Sequence, residues 1–221
     1  MLHLALVLGM AAQENQAEEL FKKLEKKFAE AKSVTLGFKL DMVDKRTKEE
    51  EKKSAVEGTI RAKSGDRFIM DVTIRDKGED DKFFARSDGK TLRIRSGDRP
   101  EKEEKYPKGM SRFLTGATIR SGVFVLQSMG REEAPDPAEY LKVSDFSMNE
   151  GGRVEVKVVM YTLTVDGKKA SVSLWLDTEK LVPVQRKVRI EGDEGRIMTF
   201  EEHYTKVSTD EVPDAEFEHG K

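Results

Sequence analysis

From Val34 to Met42 apolar and polar residues alternate without a fault. Val34, Leu36, Phe38, Leu40 and Met42 fall on one side, and Thr35, Gly37, Lys39 and Asp41 on the other. This period of two predicts a long strand buried on one face. Val56, Gly58, Ile60 and Ala62 predict the returning strand, Ser64-Gly65-Asp66 a turn, and Phe68, Met70, Val72 and Ile74 a third strand. The same period reappears late in the chain. Val172, Leu174 and Leu176 run into a polar turn at Asp177 to Lys180, and the chain returns through Val184, Arg186, Val188 and Ile190. After a turn at Gly192 to Gly195 come Met198, Phe200, Glu202 and Tyr204. Alternation broken by Gly, Asp and Pro predicts an antiparallel meander. In the preceding segment, Arg153 to Val165, the alternating residues Val154, Val156, Val158 and Met160 give way to Leu163 and Val165. This change of phase predicts a bulge near Val159 to Thr162.

Two regions switch to helical spacing. Ala17, Leu20, Phe21, Leu24, Phe28 and Ala31 form one stripe, with Asn15 and Glu18 placed as an N-cap and capping box. That stripe has to lie on a sheet. Met110, Phe113, Leu114 and Ala117, then Val123, Phe124, Leu126 and Met129, predict two short apolar helices broken at Ser121-Gly122. They either plug the sheet or cover it as a movable lid, since both arrangements need the same apolar faces. Gly97 to Gly109 reads as a charged loop, and Tyr140 to Phe146 as a short or edge strand. The predicted fold is therefore α+β: a curved antiparallel sheet of roughly ten to eleven strands, an incomplete β-barrel. An N-terminal helix and the central helices cover its open side.

Composition narrows the functional classes. Lys and Arg total 40 against 42 Asp and Glu, so no global field draws the chain to nucleic acid or an anionic membrane. There is no cysteine, which excludes disulfides and thiolate metal sites. Leu2 to Ala12 is an apolar run too short to span a bilayer, followed by polar Gln13-Glu14-Asn15. Residues 1–12 are read as a signal peptide, which places the protein in the periplasm or outside the cell. Residues 13–221 form one domain, long enough to bury ~70% of its unfolded surface. The mixed charges from Asp44 to Lys53 are a solvated hairpin tip, and the segment beyond Phe217 is a polar tail.

Chemistry is sparse. The three histidines, His3, His203 and His219, are isolated, and no hydrolase, phosphate-loop or metalloprotease motif is present. Asp177 and Glu179 fit a hairpin turn better than a catalytic carboxylate pair. Glu201, Glu202 and His203 alternate in direction along a strand, so they do not converge on a metal. No catalytic residue, metal or cofactor is expected. Trp175 is out of phase with Leu174 and Leu176; it either packs under the N-terminal helix against Leu20, Phe21 or Leu24, or faces a ligand.

Several stretches resemble the LolA/LolB-like superfamily of periplasmic lipoprotein carriers and receptors. They are Leu174-Trp175-Leu176-Asp177 with Leu181 and Pro183 beyond, Val212-Pro213-Asp214-Ala215-Glu216-Phe217, Gly58 to Phe68, and Ser87-Asp88-Gly89-Lys90-Thr91-Leu92. The resemblance implies a half-barrel whose lid is tied by an arginine in the turn before Phe68. Here that turn holds Ser64-Gly65, so any latch is built differently. It further implies a non-catalytic monomer that shelters lipid or lipoprotein acyl chains, receiving them from and passing them to membrane-bound partner proteins. The candidate ligand surface is Leu36, Phe38, Leu40, Phe68, Met70, Val72 and Leu92 from the strands, with Phe113, Leu114 and Phe124 from the helices. The competing reading of those residues is a fully packed core. An alternative role on the same fold is an envelope-stress sensor that binds a protein partner.

Overall fold

The computed structural model describes residues 2–45, 51–105, 108–123, 136–165 and 167–218, with backbone alone for 2–12 and 194. Helix α1 (Leu2–Glu30) leads into a first meander of β1 (Ser33–Lys45), β2 (Glu51–Lys63), β3 (Arg67–Asp76), β4 (Glu79–Asp88), β5 (Thr91–Ser96) and β6 (Lys102–Lys105). Helices α2 (Met110–Arg120) and α3 (Pro137–Tyr140) follow. A second meander comprises β7 (Lys142–Glu150), β8 (Val156–Val165), β9 (Lys168–Asp177), β10 (Val182–Glu191) and β11 (Ile197–Ser208). All eleven strands form one antiparallel sheet in the order β6-β5-β4-β3-β2-β1-β11-β10-β9-β8-β7. The meanders join where β1 pairs with β11. Strands β6 and β7 lie at opposite ends of that order, so the sheet is an unclosed half-barrel.

Opposed residues in an antiparallel pair share a face, so the register sorts the side chains into rows. One row runs Val34, Ala62, Phe68, Ser87, Leu92, and the next Leu36, Ile60, Met70, Ala85, Ile94. A third runs Phe38, Gly58, Val72, Phe83. These rows line the concave face. Gly58 marks tight curvature: an ideal Cβ there would lie 2.2 Å from the carbonyl oxygen of Asp71. Helix α1 lays Ala17, Phe21, Leu24 and Phe28 into the same core, and Phe21 meets Tyr161 with ring centroids 4.9 Å apart.

The alternating patterns became strands because each buries one face, but four local expectations need correcting. Helix α1 is continuous through Asn15, which is exposed and caps nothing. The apolar run before it consists of good helix formers, so the helix has no reason to stop there. The bulge expected in β8 lies in its partner β7, between Ser144 and Ser147, where Asp145 takes a φ of +56°. Strand β8 pairs regularly with β9; Val156 and Val158 occupy the convex face, and Val159, Tyr161 and Leu163 the concave one. The charged loop from Gly97 to Gly109 contains β6, paired with β5. Trp175 does not pack under α1. It sits half-buried on the convex face opposite Val158 and Gln185, because α1 lies on the other side of the sheet.

On the convex face the chain end forms a strap. The Ser33 hydroxyl donates to the Asp210 carbonyl at 2.9 Å, and Lys63 reaches the Val212 carbonyl at 2.7 Å and Asp214 at 2.6 Å. Phe217 is buried with Ile69, Val212 and Phe84. The second central helix expected around Val123 to Met129 lies largely outside the described residues, as do Phe124 and the hairpin tip 46–50.

Candidate ligand cleft

Nine of the ten predicted ligand residues fall within the described structure. Leu36, Phe38, Leu40, Phe68, Met70, Val72 and Leu92 from the sheet meet Phe113 and Leu114 of α2 in one buried cluster. Helix α2 reaches that position because its apolar stripe, Met110, Phe113, Leu114 and Ala117, has no other dry surface to cover. The nine side chains are thus brought together, and they are packed against helices.

Open space lies beside them. A cleft of about 600 Å³ opens where the ends of β1 and β2 meet α1, α2 and α3. Its apolar wall includes Phe28, Val34, Ala62, Ile119 and Pro137. Val34 and Ala62 begin the row that continues through Phe68 to Leu92, so the cleft floor runs on beneath α2. Its size is that of an ordinary small-ligand pocket. Arg112 and Asp136 bridge its rim at 2.6 Å, and Asp136 also caps α3 by accepting from Ala138 N–H at 2.8 Å.

Helix α2 is hooked at both ends. At its start, Asp66 in the β2–β3 turn accepts from the Gly109 N–H at 3.2 Å and from the Ser111 hydroxyl at 3.2 Å. At its end, Arg186 of β10 donates to the carbonyls of Thr118 and Ile119, each at 2.6 Å. A guanidinium there supplies a donor to the Ile119 carbonyl, shares the Thr118 carbonyl with the Gly122 N–H, and complements the negative end of the helix dipole. Beside it, Glu202 of β11 accepts from the Val123 N–H at 2.7 Å and from the Tyr204 hydroxyl at 2.6 Å. Arg186 and Glu202 are cross-strand partners and both are 0% exposed. Gly122 lets the chain approach: with φ +89°, an ideal Cβ would sit 2.3 Å from Glu202 Oε1. Tyr161 donates to the Arg120 carbonyl at 2.6 Å. Burial, opposed by the charge of Arg186, pushes the Tyr161 hydroxyl up to about 12.

A second recess of about 370 Å³ lies between α1 and β7 against Phe21, Val143 and Phe146. Glu25, Arg120 and Ala138 line both spaces. Arg120 Nε meets Glu25 Oε1 at 2.7 Å, and Arg120 Nη1 donates to the Leu141 carbonyl at 2.7 Å. Burial raises the Glu25 carboxyl above its ordinary value, and Arg120 opposes that rise.

The sequence pattern held signals for part of this. Arg186 and Glu202 are in phase with apolar neighbours on strands, which marks two charges on a buried face. Glu25 carried no such signal, because it sits among charged neighbours on α1, and Arg120 reads as an ordinary basic residue in the last turn of α2. Among the described residues, no group of three or more His, Asp and Glu could hold a metal ion.

No protein-family model and no curated protein sequence matches the chain. In structure it is similar to a LolA superfamily protein from Nitrosomonas europaea, with a TM-score of 0.37 and 9% identity over 92% of this chain and 97% of that one. It is also similar to an outer membrane lipoprotein-sorting protein domain from Vibrio parahaemolyticus, at TM-score 0.37 and 13% identity over 87% and 92%. A third likeness is to LprF from Mycobacterium bovis, at TM-score 0.40 and 8% identity over 90% and 95%. The half-barrel assignment rests on the strand order and register above rather than on these likenesses.

Proposed function

We propose that this protein is a non-catalytic carrier that shelters the hydrocarbon chain of a lipid or acylated lipoprotein, outside the cytoplasm, with residues 1–12 serving export. The chain would pass between membrane-bound donor and acceptor proteins. The observation that carries this reading is the cleft of about 600 Å³ whose apolar floor continues under α2 along the row Val34, Ala62, Phe68. Each methylene kept from water is worth about 0.8 kcal/mol, so a chain of about twelve carbons cannot cross water unaided, and such a cleft replaces the apolar surroundings it leaves in the membrane. Entering beneath α2 requires that helix to yield. Apolar contacts, which lack directional bonds, hold its middle, and the hooks at its two ends can keep it in register meanwhile.

Ala62→Phe tests the reading because it fills the cleft at its floor. Mass spectrometry of organic extracts is expected to find acyl-chain lipid in the natural sequence and far less in the variant, with thermal unfolding little changed. Lipid-free extracts of the natural protein, together with no binding of dodecan-1-ol, dodecanoate or dodecyl phosphate, would falsify the proposal.

A further inference from the structure

We propose that Arg120 is the headgroup anchor of the cleft, and that the ligand it selects is a single-chain carboxylate amphiphile, a free fatty acid, whose carboxylate takes the place of Glu25. This rests on the carrier reading and narrows it. Arg120 stands where the cleft and the α1–β7 recess share a wall, with its side chain 14% exposed and that of Glu25 25% exposed. An arginine offers five N–H donors in a planar fork suited to a carboxylate. Glu25 and the Leu141 carbonyl engage its Nε and Nη1. The main chain that carries it is held from behind, since the Arg120 carbonyl accepts from Tyr161.

Glu25 is a poor permanent partner. It is a half-buried carboxylate whose ionised form is disfavoured by that burial. An incoming carboxylate attached to an acyl chain makes the same ion pair and adds apolar burial along Phe28, Val34 and Ala62, which Glu25 cannot supply. Glu25 then swings toward solvent, which relieves its desolvation. A neutral alcohol or glyceride head gains nothing from this exchange. The remaining cations among the residues that line the cleft have other partners: Lys26 with Glu30, Arg112 with Asp136, Lys32 with Glu211 and Lys63 with Asp214. The geometry therefore favours one anionic head at one place.

The test uses the full chain loaded with the neutral dye Nile red, displaced by dodecanoate, dodecan-1-ol or dodecyl phosphate. Dodecanoate is expected to bind about tenfold tighter than the alcohol, the size of one charge-assisted hydrogen bond. Arg120→Gln should erase that preference while leaving the alcohol unaffected. Glu25→Gln should strengthen dodecanoate binding severalfold, again without moving the alcohol, and it decides the matter even if Arg120→Gln fails to fold. An acid-to-alcohol ratio that neither variant changes overturns the anchor and leaves the carrier standing. Stronger binding of dodecyl phosphate than of dodecanoate overturns the choice of a carboxylate. Failure of the natural protein to bind any of the three overturns the carrier reading itself.

Discussion

The two meanders meet the same helix by different means. The β7–β11 half reaches α2 through a buried guanidinium and carboxylate, Arg186 and Glu202, aimed at main-chain groups of the helix end. The β1–β6 half reaches it through rows of apolar side chains and one carboxylate hook, Asp66. Directional bonds between fully buried charges and backbone fix position, because moving either partner strands an unpaired group away from water. Apolar contact is non-directional and tolerates another hydrocarbon in exchange. The space for a ligand lies on the apolar side, where Val34 and Ala62 open into the cleft. One half therefore serves as a mounting and the other as a replaceable surface.

Removing the mounting should have the largest effect. Arg186→Met leaves Glu202 buried without its cation and removes the side-chain donor to the carbonyls of Thr118 and Ile119, at an expected cost of about 3–5 kcal/mol in urea unfolding. A cost under 1 kcal/mol would mean the two halves hold α2 alike. The hook on the other half should matter less. Asp66→Gly suits the left-handed backbone there, φ +60°, so it deletes the carboxylate and little else. About 1–3 kcal/mol is expected, with faster amide hydrogen exchange near Gly109 than near Ser121. Uniform exchange along α2 in this variant would mean that Asp66 does not act on the start of the helix separately from Arg186 at its end.

The smallest effects concern pH, and the two ion pairs should respond with opposite signs. The Asp214 carboxyl is lowered, chiefly by its hydrogen bond from Lys63. It supports the fold above its ordinary value of 3.8 and loses that support as pH falls through the lowered folded value. Asp214→Asn should then weaken the strap at neutral pH and become indistinguishable from the natural sequence in strong acid. Glu25 is raised, so ionising it opposes folding, and the cost fades as pH falls through its elevated value. Glu25→Gln should stabilise near neutrality, with the gain disappearing toward acid. Parallel pH profiles of the two variants would remove the distinction.

Much of this architecture was legible in single stretches. Val34 to Met42 alternate because a strand with one wet face must, and the same holds for Phe68 to Ile74. Arg186 and Glu202 were visible as charges in phase with greasy neighbours, although nothing local said that they face each other. Val184 shows the limit of phase: the register shifts between Pro183 and Gln185, and Val184 is left 42% exposed. Trp175 was correctly out of phase, yet which side the helix covers is a matter of how the whole sheet curls.

By itself the sequence determined the strands that carry an alternating apolar face, the apolar stripes of α1 and α2, and which side of each is dry, since periodicity is written residue by residue; charged β6 left no such mark. Only the tertiary structure decided that Glu25, Ala62, Arg120 and Pro137 border one space. Their meeting depends on strand order, curvature and the seating of α2, which arise from many weak contacts acting together. It also decided that an arginine of β10 would close the end of α2. That pairing is stable only after both have been withdrawn from water.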